Sequence, residues 1–175
     1  MTTNLDKDIV EGFRQESNAL LAELIDVVDR IEMSKGEFPS KLLEEFSQKI
    51  DRIMGAAKTL VVSFGAHPGL ERIGKLSELC KALGYQAASK KVTALLPLFA
   101  AFWAETIEVI QDLLAALEDS GRSEQIAKSF SAVLQKRLEW LAGKVAAAPA
   151  PADAALDAKT AEAQIRELLK SLTSG

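Results

Sequence analysis

A chain of 175 residues is long enough for one well-cored domain and an appendage. The net charge is −4, with a single histidine and a single cysteine and no Lys/Arg stripe interleaved with aromatics. These features argue against an electrostatic nucleic-acid binder, an imidazole–thiolate metal site and an internal disulfide. Hydrophobic residues make up 48% and charged residues 26%, with 5 prolines and 10 glycines. Ala, Leu, Glu and Lys dominate, a mixture that favours helix because these side chains lose little freedom there. The opening Met1-Thr2-Thr3-Asn4-Leu5-Asp6 is polar and lacks the apolar core of a secretion signal. The longest apolar run, Leu95 to Ala104, is shorter than a bilayer requires, so no membrane contact and a cytoplasmic location are expected.

Five amphipathic helices are expected in chain order. The first spans about Asp6 to Met33, with Ile9, Phe13, Leu20, Leu24, Val27 and Ile31 on one stripe and Asp8 and Glu11 at its positive end. Pro39 opens the second, whose inward seam is Phe46, Ile50, Ile53, Ala57, Leu60 and Phe64. Gly65-Ala66-His67-Pro68-Gly69 breaks the chain. The third helix is expected over Leu70 to about Leu83, with Gly84 capping or interrupting it. The fourth extends from about Ser89 to Glu118, Pro97 either kinking it or marking its true start. Its face of Phe99, Phe102, Trp103, Ile107, Ile110, Leu113, Leu114 and Leu117 is the richest in the chain. Ser123 is the expected cap of a fifth helix reaching Val145, with Ile126, Phe130, Val133 or Leu134, Arg137 or Leu138, and Leu141 inward.

The fold class expected is therefore all-α, an antiparallel four- or five-helix bundle over residues 1–145. Residues 146–158, almost entirely Ala and Pro, read as a mobile linker. Residues 159–175 then carry a short amphipathic segment with Ile165, Leu168, Leu169 and Leu172 on one side. It is expected to fold against this bundle or against a partner, as a tethered ligand in the latter case.

The second helix contains Ile50-Asp51-Arg52-Ile53-Met54-Gly55-Ala56-Ala57-Lys58-Thr59-Leu60. This run resembles the phosphoacceptor motif of histidine phosphotransfer (HPt) domains, particularly the N-terminal domain of the chemotaxis kinase CheA. In that family the pattern is apolar, His, any, apolar, Lys, Gly, small, small. Asp8-Ile9-Val10-Glu11-Gly12-Phe13-Arg14-Gln15-Glu16 resembles the acidic, Phe-bearing opening of the same domains, and Leu76-Ser77-Glu78-Leu79-Cys80-Lys81-Ala82-Leu83 their leucine-rich third helix. The likeness covers about Leu5 to Val145 and implies an HPt-like bundle. It departs where the chemistry lies: Asp51 stands at the histidine position and Met54 at the lysine position. An aspartate lacks the imidazole nucleophile, and no cation sits at the lysine position to offset its charge. His67 reads as a loop histidine capping the third helix.

The resemblance thus implies a pseudo-HPt module without catalytic residues, cofactor or metal. It would bind a response-regulator receiver domain or a histidine kinase in a two-component phosphorelay of the chemotaxis type. Gln48, Asp51, Arg52, Gly55 and Lys58 are the expected contact surface, joined by Ile165, Leu168, Leu169 and Leu172. Gly55 either exposes backbone to a partner or packs tightly on a neighbouring helix. An alternative is a response-regulator phosphatase: CheZ-type enzymes place an acid and a glutamine one turn apart on a helix, a spacing shared by Glu44 with Gln48 and by Glu11 with Gln15. Glu167 to Leu172 also resembles the C-terminal peptide with which CheZ proteins grip a response regulator.

Overall fold

The computed structural model describes residues 6–91, 93–147 and 155–173. The helices are α1 (Lys7–Glu32), α2 (Ser40–Phe64), α3 (Pro68–Lys90), α4 (Leu96–Ala115), α5 (Ser120–Ala147) and α6 (Ala155–Thr173), with a 3-10 turn at Thr93–Leu95 before α4. The all-α bundle expected from the sequence is what forms.

Local chemistry sets the boundaries. The Asp6 carboxylate accepts the N–H groups of Asp8 and Ile9 and caps α1. Gly65, at φ 90°, ends α2 in a conformation other residues avoid. His67 caps α3. Three sequence expectations are corrected here, and the alternative left open at Pro97 is resolved. Gly84 neither caps nor interrupts α3, which runs on through Ser89 to Lys90; Gly84 sits buried at the crossing with α2. Pro97 marks the start of α4, lying in its first turn, where its missing N–H breaks no helical bond. Pro39 precedes α2 as its N-cap residue and Ser40 begins the helix. Asp119 occupies the capping role expected of Ser123: its carboxylate accepts the Arg122 N–H, while the Ser123 hydroxyl donates to the Ala116 carbonyl.

Cross-helix ion pairs reveal the directions. Glu16 and Glu23 of α1 meet Arg52 and Lys49 of α2, so the two run antiparallel. Lys58 and Asp51 of α2 meet Glu78 and Lys81 of α3, again antiparallel. Arg14 of α1 donates to the Leu114 carbonyl at the end of α4 and to Glu118 in the turn just beyond it, closing a four-helix ring. The bond to Glu118 is the main reason the Arg14 guanidinium titrates above its ordinary value. Inside the ring Trp103 lies between Phe46, at 4.4 Å between centroids, and Phe99, at 5.7 Å. Ile50, Ile53, Ala57, Leu79, Phe102 and Trp103 are all buried. One stripe assignment shifts, Val10 turning inward and Ile9 outward, and the α5 alternatives resolve to Leu134 and Leu138, both buried, with Val133 exposed.

The stretch Thr93–Ala115 is long and apolar enough to cross a membrane by length and composition, with a mean hydropathy of 1.5 over its most apolar window. The run read from the sequence is shorter because it ends before Glu105, the first charge in this stretch. Its inward side supplies Phe99, Trp103, Ile107 and Ile110 to the core.

The C-terminal segment departs most from expectation. α6 packs mainly along α3, and also on α5. Leu168 and Leu172 are buried, and Ile165 and Leu169 are partly buried against the core. Arg72 of α3 donates to the Leu172 carbonyl at 2.7 Å, and the Ser131 hydroxyl of α5 donates to the same oxygen at 3.0 Å. A cation and a hydroxyl thus satisfy the negative end of α6. Burial pulls the Arg72 guanidinium below its ordinary value. The tethered-ligand expectation is therefore corrected: α6 is a sixth helix of the bundle. The expected linker 146–158 shrinks as well, since α5 continues to Ala147 and α6 begins at Ala155. Residues 148–154 lie outside the described residues.

Candidate functional site

α2 and α3 approach closely because they meet through small residues. A Cβ added at Gly84 would stand 3.4 Å from the Ser47 hydroxyl and 3.9 Å from the Phe46 ring. Ser47 from α2 and Gly84 and Ala88 from α3 floor a groove of about 340 Å3, with Glu44, Gln48 and Asp51 on the α2 rim and Lys81 and Tyr85 on the α3 rim. Across it Lys81 Nζ donates to Asp51 Oδ1 at 2.6 Å. The same ammonium lies 6.0 Å from the centroid of the half-exposed Tyr85 ring, within reach of a cation–π attraction. The bond to Asp51 is the main cause that holds the Lys81 ammonium above the usual lysine range.

This geometry corrects one inference from the sequence. Met54, the residue one turn after Asp51, supplies no cation and is only partly exposed. Asp51 is nevertheless matched in charge, by Lys81 reaching across from α3. Lys81 and Tyr85 were missed as site residues. The signal was available: Glu78, Lys81 and Tyr85 recur at spacings of three and four on the third helix, so they share one edge, away from its apolar seam.

Of the five α2 residues expected at the site, Gln48 and Asp51 line the groove. Arg52 turns toward α1 and pairs with Glu16 at 3.0 Å, and Lys58 pairs with Glu78 of α3 at 3.2 Å. Gly55 lies on the exposed ridge, and a Cβ added there meets no heavy atom within 4 Å. Tight packing is thus excluded and the open-surface reading stands. Gly55→Ala is accordingly expected to stabilise the chain by about 0.5–1 kcal/mol, since glycine loses more backbone freedom than alanine on entering a helix. Chemical denaturation checks this. Ile165, Leu168, Leu169 and Leu172 do not line the groove; they face α3 and α5.

The two acid–glutamine pairs differ in availability. Gln15 donates to Glu11 at 3.2 Å, and Glu11 is also held by Arg14 at 2.7 Å. Glu44 and Gln48 both line the groove, with no side-chain hydrogen bond among the described residues. Other chemistry is remote. His67 is buried, with Nδ1 accepting the Gly69 and Leu70 N–H groups and Nε2–H donating to the Leu117 carbonyl at 2.8 Å. Cys80 is fully buried, which pushes its thiol up to about 12, so it is no nucleophile at neutral pH. Among the described residues no three His, Cys, Asp or Glu side chains cluster so as to hold a metal. Comparison with protein-family models, curated proteins and solved structures finds no match to this chain.

Proposed function

We propose that the chain is a non-catalytic signalling module that binds a receiver domain or a histidine kinase through the α2–α3 groove and so modulates a phosphorelay. The observation that carries this reading is the Asp51–Lys81 pair, set where the HPt-like motif would present its phosphoacceptor. A carboxylate already neutralised by an ammonium has no imidazole to take a phosphoryl group, yet it offers one acceptor-rich and one donor-rich edge to a polar partner. Beside it Gly55 leaves the α2 backbone open to close approach. Both features suit docking without transfer.

A second reading, dephosphorylation of a receiver, is favoured by one observation: Glu44 and Gln48 stand one turn apart on the same groove with their polar atoms uncommitted. An acid and an amide so placed can orient water toward an acyl phosphate.

One experiment separates the two. Phosphorylated receiver domains are incubated with the chain, and the lifetime of the aspartyl phosphate is followed. Stoichiometric binding leaves the lifetime unchanged or longer, with no phosphate recovered on the chain. A lifetime shortened by substoichiometric protein, and restored by Gln48→Ala, establishes the phosphatase instead. An acid-labile phosphohistidine on the wild-type chain overturns both.

A further inference from the structure

The α4–α5 face is separate from the α2–α3 groove and carries a different surface. Val109 of α4 and Ile126 and Phe130 of α5 floor a second groove, of about 370 Å3, edged by Asp112 and Arg122. It continues along α5 as an exposed ridge. Val133 is 41% and Trp140 53% exposed. Ile126, Val133, Arg137, Trp140 and Lys144 recur at spacings of seven, four, three and four, so they share one helix face. Exposed tryptophan beside valine is an unusual arrangement for a surface left to water, and tryptophan and arginine are the residues most often found at the centre of protein contacts.

The charges on this face have a sign and a direction. Arg122, Lys136 and Lys144 are exposed on α5 and form no ion pair with a carboxylate among the described residues. Lys144 lies 5.7 Å from the centroid of the Trp140 ring. Arg137 is matched by Glu105 of α4 at 2.9 Å. The α5 edge is therefore cationic, whereas the α4 edge carries the carboxylates Glu105 and Asp112.

We propose that the α4–α5 face is a docking surface for an acidic amphipathic helix of a partner protein. Its apolar side would lie over Ile126, Phe130, Val133 and Trp140, with its carboxylates toward Arg122, Lys136 and Lys144. From Arg122 to Lys144 the surface is roughly 33 Å long, matching a helix of about 20 residues. The carboxylates on the α4 edge oppose an anionic bilayer and favour a partner whose acids are confined to one side. The concavity between the two helices fits a rod better than a plane.

The test uses the whole chain and a synthetic helix of about 20 residues, with leucine at helical spacing and glutamate on one flank. Trp140 reports binding directly, because Trp103 is fully buried and insensitive to it. A saturable blue shift is expected. The affinity it reports should weaken tenfold or more in the doubly charge-reversed Lys136→Glu/Lys144→Glu and persist in Asp51→Ala, and calorimetry, which does not depend on the indole, should show a like loss in Trp140→Ala. All of these positions are exposed, and circular dichroism verifies that each variant folds. The proposal is overturned if Trp140 does not respond, if a peptide with lysine in place of glutamate binds equally well, or if phosphatidylserine vesicles produce the shift and the peptide does not.

Discussion

Truncating the chain after Ala147 is expected to lower its stability by about 3 kcal/mol, or roughly 6–12 °C in Tm for a protein of this size. The reason is that α6 is part of the core. Leu168 and Leu172 are buried, and burying a leucine side chain contributes about 1.5–3 kcal/mol relative to leaving it in water. Ordering the segment offsets part of that gain. Removal also uncovers the α3 face beneath α6 and strips Arg72 and Ser131 of the Leu172 carbonyl that they share. The single substitution Leu172→Ala should account for much of the loss, about 2–3 kcal/mol, because it leaves a cavity at the point where α3, α5 and α6 converge. Thermal and urea denaturation of both variants measure this. An unchanged Tm after truncation would mean that α6 does not dock in solution.

His67→Ala is expected to have a comparable effect, a loss of about 3 kcal/mol. The imidazole is buried and makes three bonds at one junction: two N–H groups of the first turn of α3 to Nδ1, and Nε2–H to the Leu117 carbonyl. Alanine leaves these partners unsatisfied where water is excluded, and each such group costs about 1–3 kcal/mol before relaxation. Relaxation is hindered because Gly69 sits tightly there: a Cβ would come within 3.1 Å of the Ser123 hydroxyl and 3.2 Å of Leu117. His67→Asn should recover roughly 1 kcal/mol, since an asparagine oxygen can cap α3 while its shorter side chain cannot reach Leu117. If Asn and Ala are equally destabilising, the capping half of the argument fails.

These two junctions show where sequence reasoning reaches and where it stops. The helical period exposed the inward seams of α1, α2, α4 and α5, because an apolar stripe at spacings of three and four has few other uses. It predicted the buried set around Ile53 and Trp103 for the same reason. Glycine misled. Gly84 reads as a breaker, yet in α3 its missing side chain lets Ser47 and Phe46 of α2 come close, a demand made only by the neighbouring helix. α6 was legible as a helix but not in its placement. Ile165, Leu168, Leu169 and Leu172 state that one side is apolar, and they cannot say which groove it enters. Asp51 was found through a motif, but Lys81 lies thirty residues later and meets it only because α2 and α3 run antiparallel in this register. Pairing across helices belongs to tertiary structure, and no local pattern announces it.

The role proposed for the α2–α3 groove is tested most directly by titrating the isotopically labelled full-length chain with receiver domains from its source cell, with and without a beryllofluoride phosphoryl mimic, while recording amide chemical shifts. The expected result is a saturable perturbation centred on Gln48, Asp51, Gly55, Lys81, Gly84 and Tyr85, weakened by Asp51→Lys and unaffected by Trp140→Ala. Perturbations confined to other faces, or none with any receiver domain or histidine kinase of that cell, would contradict it.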